Sequence, residues 1–600
     1  MKKYNIDNLK HGFRYIKYYA RIQSFLLKIN KYYLITFVIM SLLSVVFPFL
    51  SMIIMKNIMN SLQMLNCSLI YLIHLLLAYI SIEIVQILVN SILSFWDNKF
   101  SMKGSKELEL IILNKAANLC LNDYENPDVY DLLQRAKKVD FLMIYGFFKS
   151  TVSLLISLIN FLLFSSVLII WKRWLIPIIV LLSVMKYFST IYFSKRQFEI
   201  TKNRAGDERK VWYYQYLLSK DTAFKEVRIF DLSQYFLKKL TNIRNTFIKQ
   251  DTELLKSKTY VNTIIILLEE LIISTFNILL IIDTYKGIIL IGDFSTYIRS
   301  ISRVKGSIES FLGQISSLYK NMLYISQLFD FLDYKSCYVR KIADSLESNE
   351  IQINKIDNIT INDLCFSYDG NLNFALHDIN MSINSGDMIA FVGKNGSGKS
   401  TLFKILAGLY TNYTGEIYIN GINTKYLNIS SYQKKVSVLF QDYIKYESTV
   451  KENIAYGNLT KIDATNYLND ILDSMNLGNE FESLDEQLGV WFEDGRQISG
   501  GQWLKIALCR TLIKEADMYL FDEPNSALDN ISSLKIIKEI TRKTTNNICI
   551  IISHRITNIK DICNKIFVFN NGYIEAVGTH EELLLKSETY NNLYSSENSK

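Results

Sequence analysis

A glycine-rich stretch, GKNGSGKST at 393–401, has the residue types and spacing of a loop that holds phosphate groups. It fits the pattern G-x-x-x-x-G-K-S and lies between an apolar, strand-like run at 388–392 and the helix-like TLFKILAGL. Glycines let such a backbone curl around phosphate oxygens. Lys399 is predicted to reach the β- and γ-phosphates of a nucleotide, and the Ser400 hydroxyl to ligate Mg²⁺. The predicted nucleotide-binding residues of this stretch are Gly393, Asn395, Gly396, Ser397, Gly398, Lys399, Ser400 and Thr401.

Three further apolar runs, MYLFDEP, IISHR and VLFQD, end in polar residues suited to hydrolysing a phosphate bond. Asp522 and Glu523 stand at the end of the first run, where parallel sheets bind ligands. Asp522 is predicted to join the Mg²⁺ shell, and Glu523 to act as general base on the attacking water. His554 is predicted to contact the γ-phosphate, and Gln441 to join Mg²⁺ to the water. A lone histidine at a strand end is usually an ordinary polar residue, but this set in this order predicts an ATP-hydrolysing site.

A second anion-binding loop is predicted in WFEDGRQISGGQW at 491–503. A Ser-Gly-Gly sequence that opens a helix presents backbone N–H groups and the positive end of the helix dipole to an anion. With ISGGQ as the signature, the order of all these motifs resembles that of the ATP-binding cassette family over about residues 355–595.

That resemblance implies further roles. Tyr368 looks like the aromatic residue that stacks on adenine, and Ser526–Asp529 (SALD) resembles the D-loop. In this family each ATP lies between the phosphate loop of one cassette and the signature loop of a second. The resemblance therefore implies a homodimer with two equal composite sites, although a heterodimer stays open. The residues implied to serve the ATP of the other copy are Ser499, Gly500, Gly501, Gln502 and Asp529.

Long apolar runs fill the first half of the chain, in which six membrane spans are predicted. Of the 600 residues, 49% are hydrophobic and only 21% are charged, and a span needs about 20 apolar residues. The predicted spans are 33–55, 68–89, 147–171, 175–192, 261–282 and 292–315. Because the sixth carries Arg299, Arg303, Lys305 and Glu309, it is predicted to face a water-filled pathway. The alternative is a soluble helix and five spans.

These elements predict an all-α six-span transmembrane domain followed by an α/β P-loop ATP-binding cassette domain. Both long loops between spans are basic, which predicts that these loops, the cassette and both termini are cytoplasmic. The net charge of +8 is spread without a basic stripe, so no nucleic acid partner is expected. The predicted divisions are an amphipathic N-terminal elbow helix at 1–32, the membrane domain at 33–325, a linker at 326–354 and the cassette at 355–600.

The same order of domains resembles the type IV exporter architecture, and within it the lantibiotic exporters of the nisin-transporter type. The resemblance rests on DYENPDVYDLLQRA (123–136), SVLFQDYIKYESTVKENI (437–454) and LGVWFEDGRQISGGQWLKIALCR (488–510). It implies export of a leader-bearing peptide through the plasma membrane of a bacterium by alternating access, with ATP and Mg²⁺ as cofactors. The implied partners are a second copy of the chain, the lipid bilayer, the peptide, and peptide-modifying enzymes. The loops near 125–136 and 216–231 are predicted to contact the cytosolic domain.

Two other functions fit part of this pattern. An exporter of lipids or hydrophobic drugs would share the architecture and every ATP motif. A sensor ATPase that moves no cargo would more often have degenerate catalytic residues, and here they are intact. For the mid-span pair Glu269 and Glu270 two interpretations stay open: contact with a cationic peptide, or ion pairs with Arg299 or Arg303.

Overall fold

The structure, a computed structural model, describes residues 2–64, 68–336, 351–368, 373–525 and 528–598. The chain packs into two compact units. The first unit comprises Met1–Lys115 and Leu132–Asp333, and the second comprises Ala116–Asp131 and Tyr334–Lys600. The short segment Ala116–Asp131 thus belongs to the second unit although residues of the first flank it in sequence. Residues 337–350 of the predicted linker lie outside the described part of the chain.

Helices form the whole described part of the first unit, because its sequence is a series of long apolar and amphipathic runs. The helices are α1 Lys2–Met64, α2 Leu69–Ala117, α3 Leu121–Glu125, α4 Pro127–Lys137, α5 Phe141–Lys172, α6 Leu175–Asn203, α7 Ala205–Ser219, α8 Asp221–Ile229, α9 Ser233–Tyr285 and α10 Ile291–Leu332. Of these, α3 and the start of α4 lie in the second unit. The backbone of α1 leaves the helical region at Asn30, whose side chain accepts a hydrogen bond from the Tyr33 N–H at 3.1 Å. Asn30 therefore ends one helical stretch and caps the next.

Five helices in the described residues are long and apolar enough to cross a membrane: Tyr18–Met64, Leu69–Ala117, Phe141–Lys172, Leu175–Asn203 and Ser233–Tyr285. They contain the first five predicted spans. At 49 and 53 residues, α2 and α9 far exceed the roughly 20 that a bilayer needs, so both extend beyond it. The sixth predicted span lies within α10, which is not among the five. The five charged residues of that span lower its apolar character, and the count of six spans is not confirmed.

Although α10 is charged, one side of it packs in the apolar core of the first unit. That core joins side chains of α1, α5, α6, α9 and α10, and its α10 members are Tyr297, Ile301 and Val304. Serines lie where α5 and α10 approach, such as Ser150 and Ser317, whose hydroxyls are 3.3 Å apart. Small side chains let helix backbones approach closely.

The described part of the second unit contains two sheets. Its strands are β1 Asn358–Phe366, β2 Leu376–Asn384, β3 Met388–Gly393, β4 Thr414–Ile419, β5 Ile422–Asn423, β6 Val436–Leu439, β7 Met518–Asp522, β8 Ile548–Ile552, β9 Lys565–Asn570 and β10 Tyr573–Gly578. An antiparallel sheet has the order β2-β1-β4-β5, and a second sheet has the order β10-β9-β3-β8-β7-β6. In the second sheet every neighbouring pair is parallel except β10 with β9.

Both faces of the parallel sheet are covered, which explains its continuous apolar strands. Along β3, Met388, Ala390 and Val392 enter one core cluster, while Ile389 and Phe391 enter the other. The helices of this unit after β3 are α11 Lys399–Leu406, α12 Ile429–Lys434, α13 Val450–Ala455, α14 Thr465–Ser474, α15 Gly500–Leu512, α16 Asn530–Thr544, α17 His580–Lys586 and α18 Glu588–Asn598. The predicted α/β organisation of the C-terminal half is therefore observed.

Candidate functional site

The predicted catalytic residues follow the carboxyl ends of four neighbouring parallel strands, β3, β8, β7 and β6. Asp522 is the last residue of β7 and pairs in register with Ile552, the last residue of β8. His554 follows two residues after β8, and Gln441 two residues after β6. Because carboxyl ends of parallel strands meet at one edge of a sheet, the topology gathers these side chains around the loop that follows β3.

The loop after β3 has a backbone that only glycine adopts without strain. Gly393 has a φ of 148°, and a Cβ there would lie 2.3 Å from the Phe569 carbonyl oxygen. Gly398, which caps α11, has a φ of 101°, and its Cβ would lie 2.7 Å from the Leu376 side chain. The loop is thus built to present its own N–H groups and the N-terminus of α11 to an anion.

Lys399, the first residue of α11, is buried at this loop. Its Nζ donates to the carbonyl oxygens of Gly393 at 2.9 Å and of Lys394 at 2.8 Å. Burial lowers the pKa of Lys399, against the opposing effect of the carboxylates of Asp522 and Glu523. Within the described residues Lys399 forms no ion pair. Its Nζ also donates to the Ser397 hydroxyl at 3.3 Å, so a buried ammonium held by neutral oxygens fits an anionic ligand such as a nucleotide phosphate.

Asp522 is the carboxylate among the predicted Mg²⁺ ligands. Burial, and then the negative charge of Glu523, raise the pKa of Asp522 to about 6, while Lys399 and the Ser400 hydroxyl oppose that rise. A nearby cation would stabilise the charged form of such a buried carboxylate. Ser400, Asp522 and Gln441 offer only hydroxyl, carboxylate and amide oxygens, the ligands that Mg²⁺ prefers. The residues therefore fit Mg²⁺, which would neutralise charge on the β- and γ-phosphates.

Glu523 and His554 form a pair beside this shell. His554 Nε2 lies 3.2 Å from Glu523 Oε1. Glu523 has a φ of 49°, in the left-handed region that few residues other than glycine adopt, and its N–H donates to the Ile552 carbonyl oxygen at 3.0 Å. Strained backbone of this kind persists where the surrounding structure holds it and is concentrated at functional sites. The carboxylate of Glu523 is thereby aimed at the strand-end edge, where a general base is needed.

Two other predicted residues are placed differently. The Gln441 side chain is exposed and forms no hydrogen bond to another described residue. Tyr368 packs edge-on against Phe366, with ring centroids 5.1 Å apart, and its hydroxyl lies 2.9 Å from that of Thr401. Tyr368 thus lies beside α11, the helix that follows the phosphate loop, at a position from which its ring could stack on a nucleotide base.

The signature loop is a separate, rigid helix N-terminus. Ser499 caps α15 through a reciprocal pair: its hydroxyl accepts from the Gln502 N–H at 3.2 Å, and Gln502 Oε1 accepts from the Ser499 N–H at 2.8 Å. The sequence argument missed two residues that support it. Gln502 Nε2 donates to Glu480 at 2.7 Å, and the Tyr443 hydroxyl donates to the Gly500 carbonyl oxygen at 3.2 Å.

Nothing in the described structure joins this signature loop to the phosphate loop of the same chain. A Cβ added at Gly500 would meet no atom within 4 Å, so the first turn of α15 is open beside Gly500, while the Gln502 N–H in the same turn is capped by Ser499. In the predicted D-loop, Asp529 caps α16 by accepting from the Ser532 N–H at 3.1 Å. Ser526 and Ala527 lie outside the described residues.

The predicted contact of the loop near 125–136 with the cytosolic domain is observed at Glu125, in the segment Ala116–Asp131, although its partner Tyr410 was not predicted. The Tyr410 hydroxyl donates to the Glu125 carboxylate, 2.8 and 2.9 Å from its two oxygens. Burial, and then Glu125, raise the pKa of Tyr410, so the phenol stays a donor. The Tyr410 ring also meets the Tyr368 ring edge-on at 5.9 Å, while Leu121 packs on the cassette core. A continuous set of contacts thus leads from Tyr368 to Glu125.

The mid-span glutamates are held by an ion pair whose partner differs from the predicted ones. Lys305 Nζ lies 3.2 Å from Glu269 Oε2 and 3.2 Å from Glu270 Oε1. Glu269 is 1% exposed. Of the two open interpretations, ion pairing is observed. Its partner is Lys305 because that residue lies on a different face of α10 from Arg299 and Arg303, the one that meets α9.

This ion pair leads to a stability prediction. Lys305→Met is expected to destabilise the first unit by about 3–5 kcal/mol, because it leaves the buried Glu269 carboxylate without a compensating charge. Thermal unfolding of the purified protein in lipid nanodiscs would measure the loss. The double variant Lys305→Met/Glu269→Leu should recover most of it. Equal stability of the wild type and Lys305→Met would show that the ion pair is dispensable.

Known proteins are similar to this chain in sequence and in fold. The family model described as ABC transporter matches residues 376–526. The chain is 34% identical to the subtilin transport ATP-binding protein SpaT of Bacillus subtilis, covering 93% of this chain and 90% of that protein. It is 33% identical to the nisin transport ATP-binding protein NisT of Lactococcus lactis subsp. lactis, covering 95% and 94%. An ATP-dependent lipid A-core flippase of Francisella tularensis subsp. holarctica is 27% identical, covering 62% and 60%. The fold is similar to a solved bacterial Atm1-family ABC exporter with ATP bound, with a TM-score of 0.79, 17% identity and coverage of 95% and 99%.

Proposed function

The chain belongs to the ABC transporter family, in the group that includes the subtilin and nisin transport ATP-binding proteins, and on this premise we propose that it exports a lantibiotic-like, leader-bearing peptide. It is an ATPase coupled to transport. The observation that carries the proposal is the grouping of Lys399, Asp522 and the Glu523–His554 pair at one sheet edge. The described part of the chain also has five apolar helices long enough to cross a membrane.

The proposed assembly is a homodimer of twelve spans in a bacterial plasma membrane, with cassettes and termini in the cytoplasm. Helix α10 supplies the sixth span of each copy, since it packs in one core with four of the apolar helices. The second copy completes the nucleotide site: the signature loop of one chain covers the phosphate loop of the other. Support comes from the open, rigid N-terminus of α15, which forms no described contact with its own phosphate loop.

The proposed cycle begins with the cassettes apart and a cavity open to the cytoplasm. Two ATP molecules bind to the phosphate loops, with Tyr368 on each adenine and Lys399 on the phosphates, and each signature loop closes over the γ-phosphate of the other copy. Closure moves the segments near 125–136 and 216–231 and turns the cavity outward. Glu523 then takes a proton from the attacking water while His554 contacts the γ-phosphate, and charge separation between ADP and phosphate reopens the dimer.

A peptide cargo is favoured over a lipid by the relatives. The subtilin and nisin transport proteins match nearly the whole chain, whereas the lipid A-core flippase matches under two thirds of it at lower identity. The discriminating experiment measures ATP hydrolysis by the protein in nanodiscs during titration with a modified precursor peptide, with lipid A, or with hydrophobic drugs. We expect saturable stimulation by the peptide alone. Stimulation by lipid or drugs but not by peptide would replace the proposal with a lipid or drug exporter.

The Tyr410–Glu125 hydrogen bond should couple hydrolysis to transport. Tyr410→Phe removes a hydrogen bond to a charged group, worth about 1.5–3 kcal/mol, and is expected to lower the transport rate about tenfold, more than it lowers ATP hydrolysis. Tyr413→Phe is the matched control, because the Tyr413 hydroxyl contacts Thr424. Equal losses of transport and hydrolysis in Tyr410→Phe, or the same behaviour in both variants, would contradict a coupling role.

A further inference from the structure

Helix α10 carries five charged residues in its predicted span, and they divide by whether they have a charged partner. Asp293 pairs with Lys56 of α1 at 2.7 Å. Glu309 accepts from Lys186 at 2.6 Å, and Lys305 bridges Glu269 and Glu270. Arg299 and Arg303 have no carboxylate within ion-pairing distance among the described residues. The nearest recorded partner of the Arg303 guanidinium is the Phe164 ring, 6.0 Å from its centroid.

Helical geometry explains the division. Residues four apart share a face, whereas residues two apart differ by about 200° around the axis. Arg299 and Arg303 are therefore on one face, and Lys305 and Glu309 on another, about 120° away around the axis. The face with Lys305 and Glu309 meets charged partners on α6 and α9. Among the described residues, the face with the two arginines meets no charge of opposite sign.

The face with the two arginines lines a cavity of about 770 Å³ bounded by α1, α5 and α10. The polar contribution of α10 is a helical stripe: Arg299, Ser302, Arg303, Gly306, Ser307 and Ser310. Across from it α5 contributes Ser153, Ser157 and Asn160, apolar side chains of all three helices complete the lining, and none of the described lining residues is acidic. The lining therefore offers two guanidiniums among polar and apolar side chains, with no counter-charge from the described residues.

Such a lining is unfavourable as a purely structural arrangement. A charged residue in a membrane span is costly unless it is paired or wet, and like charges four apart on a helix repel each other. The other charged residues of the predicted span, Asp293, Lys305 and Glu309, pair with charged residues of neighbouring helices, so the fold has the means to pair a charge. Guanidiniums are also the groups that bind carboxylates through two hydrogen bonds at once.

We propose that Arg299 and Arg303, with the serines around them, form a subsite that binds acidic side chains of the transported peptide. The spacing fits, because Cβ atoms four apart on a helix are about 5–6 Å apart. In an extended peptide, side chains two apart are on one face and about 6.6 Å apart. The subsite rests on the proposed function, peptide export, and specifies the chemistry of its cargo: a segment with two acidic residues on one face.

The test uses the full-length protein in phosphatidylcholine nanodiscs and two versions of the precursor peptide. One version is unchanged, and the other has its Asp and Glu residues replaced by Asn and Gln. In the wild type, the concentration of peptide that gives half-maximal stimulation of ATP hydrolysis is expected to be at least about tenfold higher for the neutralised peptide than for the unchanged one. In Arg299→Gln/Arg303→Gln this difference should disappear. Arg196→Gln, at an exposed arginine of α6 outside the cavity, is the control and should keep it.

Each outcome decides between the proposals. If neither peptide stimulates the wild type, peptide export itself fails and the subsite falls with it. If both peptides stimulate the wild type equally, peptide export stands and the acidic subsite is wrong. This outcome is measured on the wild-type protein alone, so it does not depend on whether a variant folds. If the arginine variant differs from the wild type in its response to peptide only in nanodiscs of phosphatidylglycerol, and not in phosphatidylcholine, the arginines bind a lipid headgroup. That result would overturn the peptide subsite. Arg303→Glu supplies a charge-reversal check, because it should favour a peptide whose acidic residues are replaced by lysine.

Discussion

Glu523→Gln is expected to reduce ATP hydrolysis by about 100- to 10,000-fold, the usual contribution of a positioned general base, while ATP still binds. The amide keeps the size of the carboxylate and its reach toward His554, 3.2 Å away, but it cannot take a proton from water. The loop from Gly393 to Lys399 that would hold the phosphates is unchanged. Because hydrolysis reopens the dimer in the proposed cycle, the variant should accumulate in the closed, ATP-bound state.

Hydrolysis and ATP affinity would be measured on the same purified sample in nanodiscs. Glu515→Gln is the matched control: it is also a glutamate beside β7, but its side chain is 73% exposed and pairs with Lys461. The control should hydrolyse ATP like the wild type. Near-normal hydrolysis by Glu523→Gln would show that the general-base assignment is wrong. Loss of ATP binding would instead assign Glu523 to the binding of nucleotide.

Gly500→Asp is expected to reduce hydrolysis by about 100- to 1,000-fold without weakening the binding of ATP to the phosphate loop of the same chain. A Cβ at Gly500 meets nothing within 4 Å, so the fold has room for the side chain. A carboxylate in the first turn of α15 interacts favourably with the helix dipole and should leave stability unchanged or raised. It would repel the γ-phosphate that the other copy brings to this loop.

Loss of hydrolysis in Gly500→Asp with unchanged stability would therefore come from the composite nucleotide site and not from unfolding. Thermal unfolding, ATP affinity and hydrolysis would be compared with Gly206→Asp, which also adds an aspartate to the first turn of a helix where nothing lies within 4 Å. That control should keep full hydrolysis. If Gly500→Asp lost ATP affinity as Lys399→Ala is expected to, the two loops would serve one nucleotide in one chain, and the proposed exchange between copies would be wrong.

Local patterns were enough to predict much of the nucleotide site. The strand, loop and helix around 388–406 are specified by neighbouring residues: an apolar run buried on both faces, glycines at positive φ, and a lysine at the start of a helix. Neighbouring residues also specify the position of Asp522 and Glu523, because the buried strand is expected to end where its apolar run ends, directly before these two carboxylates. Parallel pairing then brings the strand ends together without further information.

Contacts between distant elements left no such local signal. Tyr410 and Glu125 are 285 positions apart, and neither residue stands in a motif that names the other. Glu480 and Tyr443 support the signature loop in the same way, from loops whose course the sequence does not reveal. For Glu269 the prediction from sequence named Arg299 and Arg303 on α10 as partners and did not name Lys305. The choice of Lys305 depends on the rotation of that helix against α9, which packing decides.

The most direct test of the account is uptake of a modified precursor peptide, leader attached, into inside-out membrane vesicles that contain the protein. We expect uptake that requires ATP and Mg²⁺ and is absent in vesicles with Glu523→Gln at the same protein level. That result would establish peptide export driven by hydrolysis at this site. Intact ATP hydrolysis with no uptake of the peptide, in vesicles that remain sealed, would contradict the account and point to a lipid or drug as cargo.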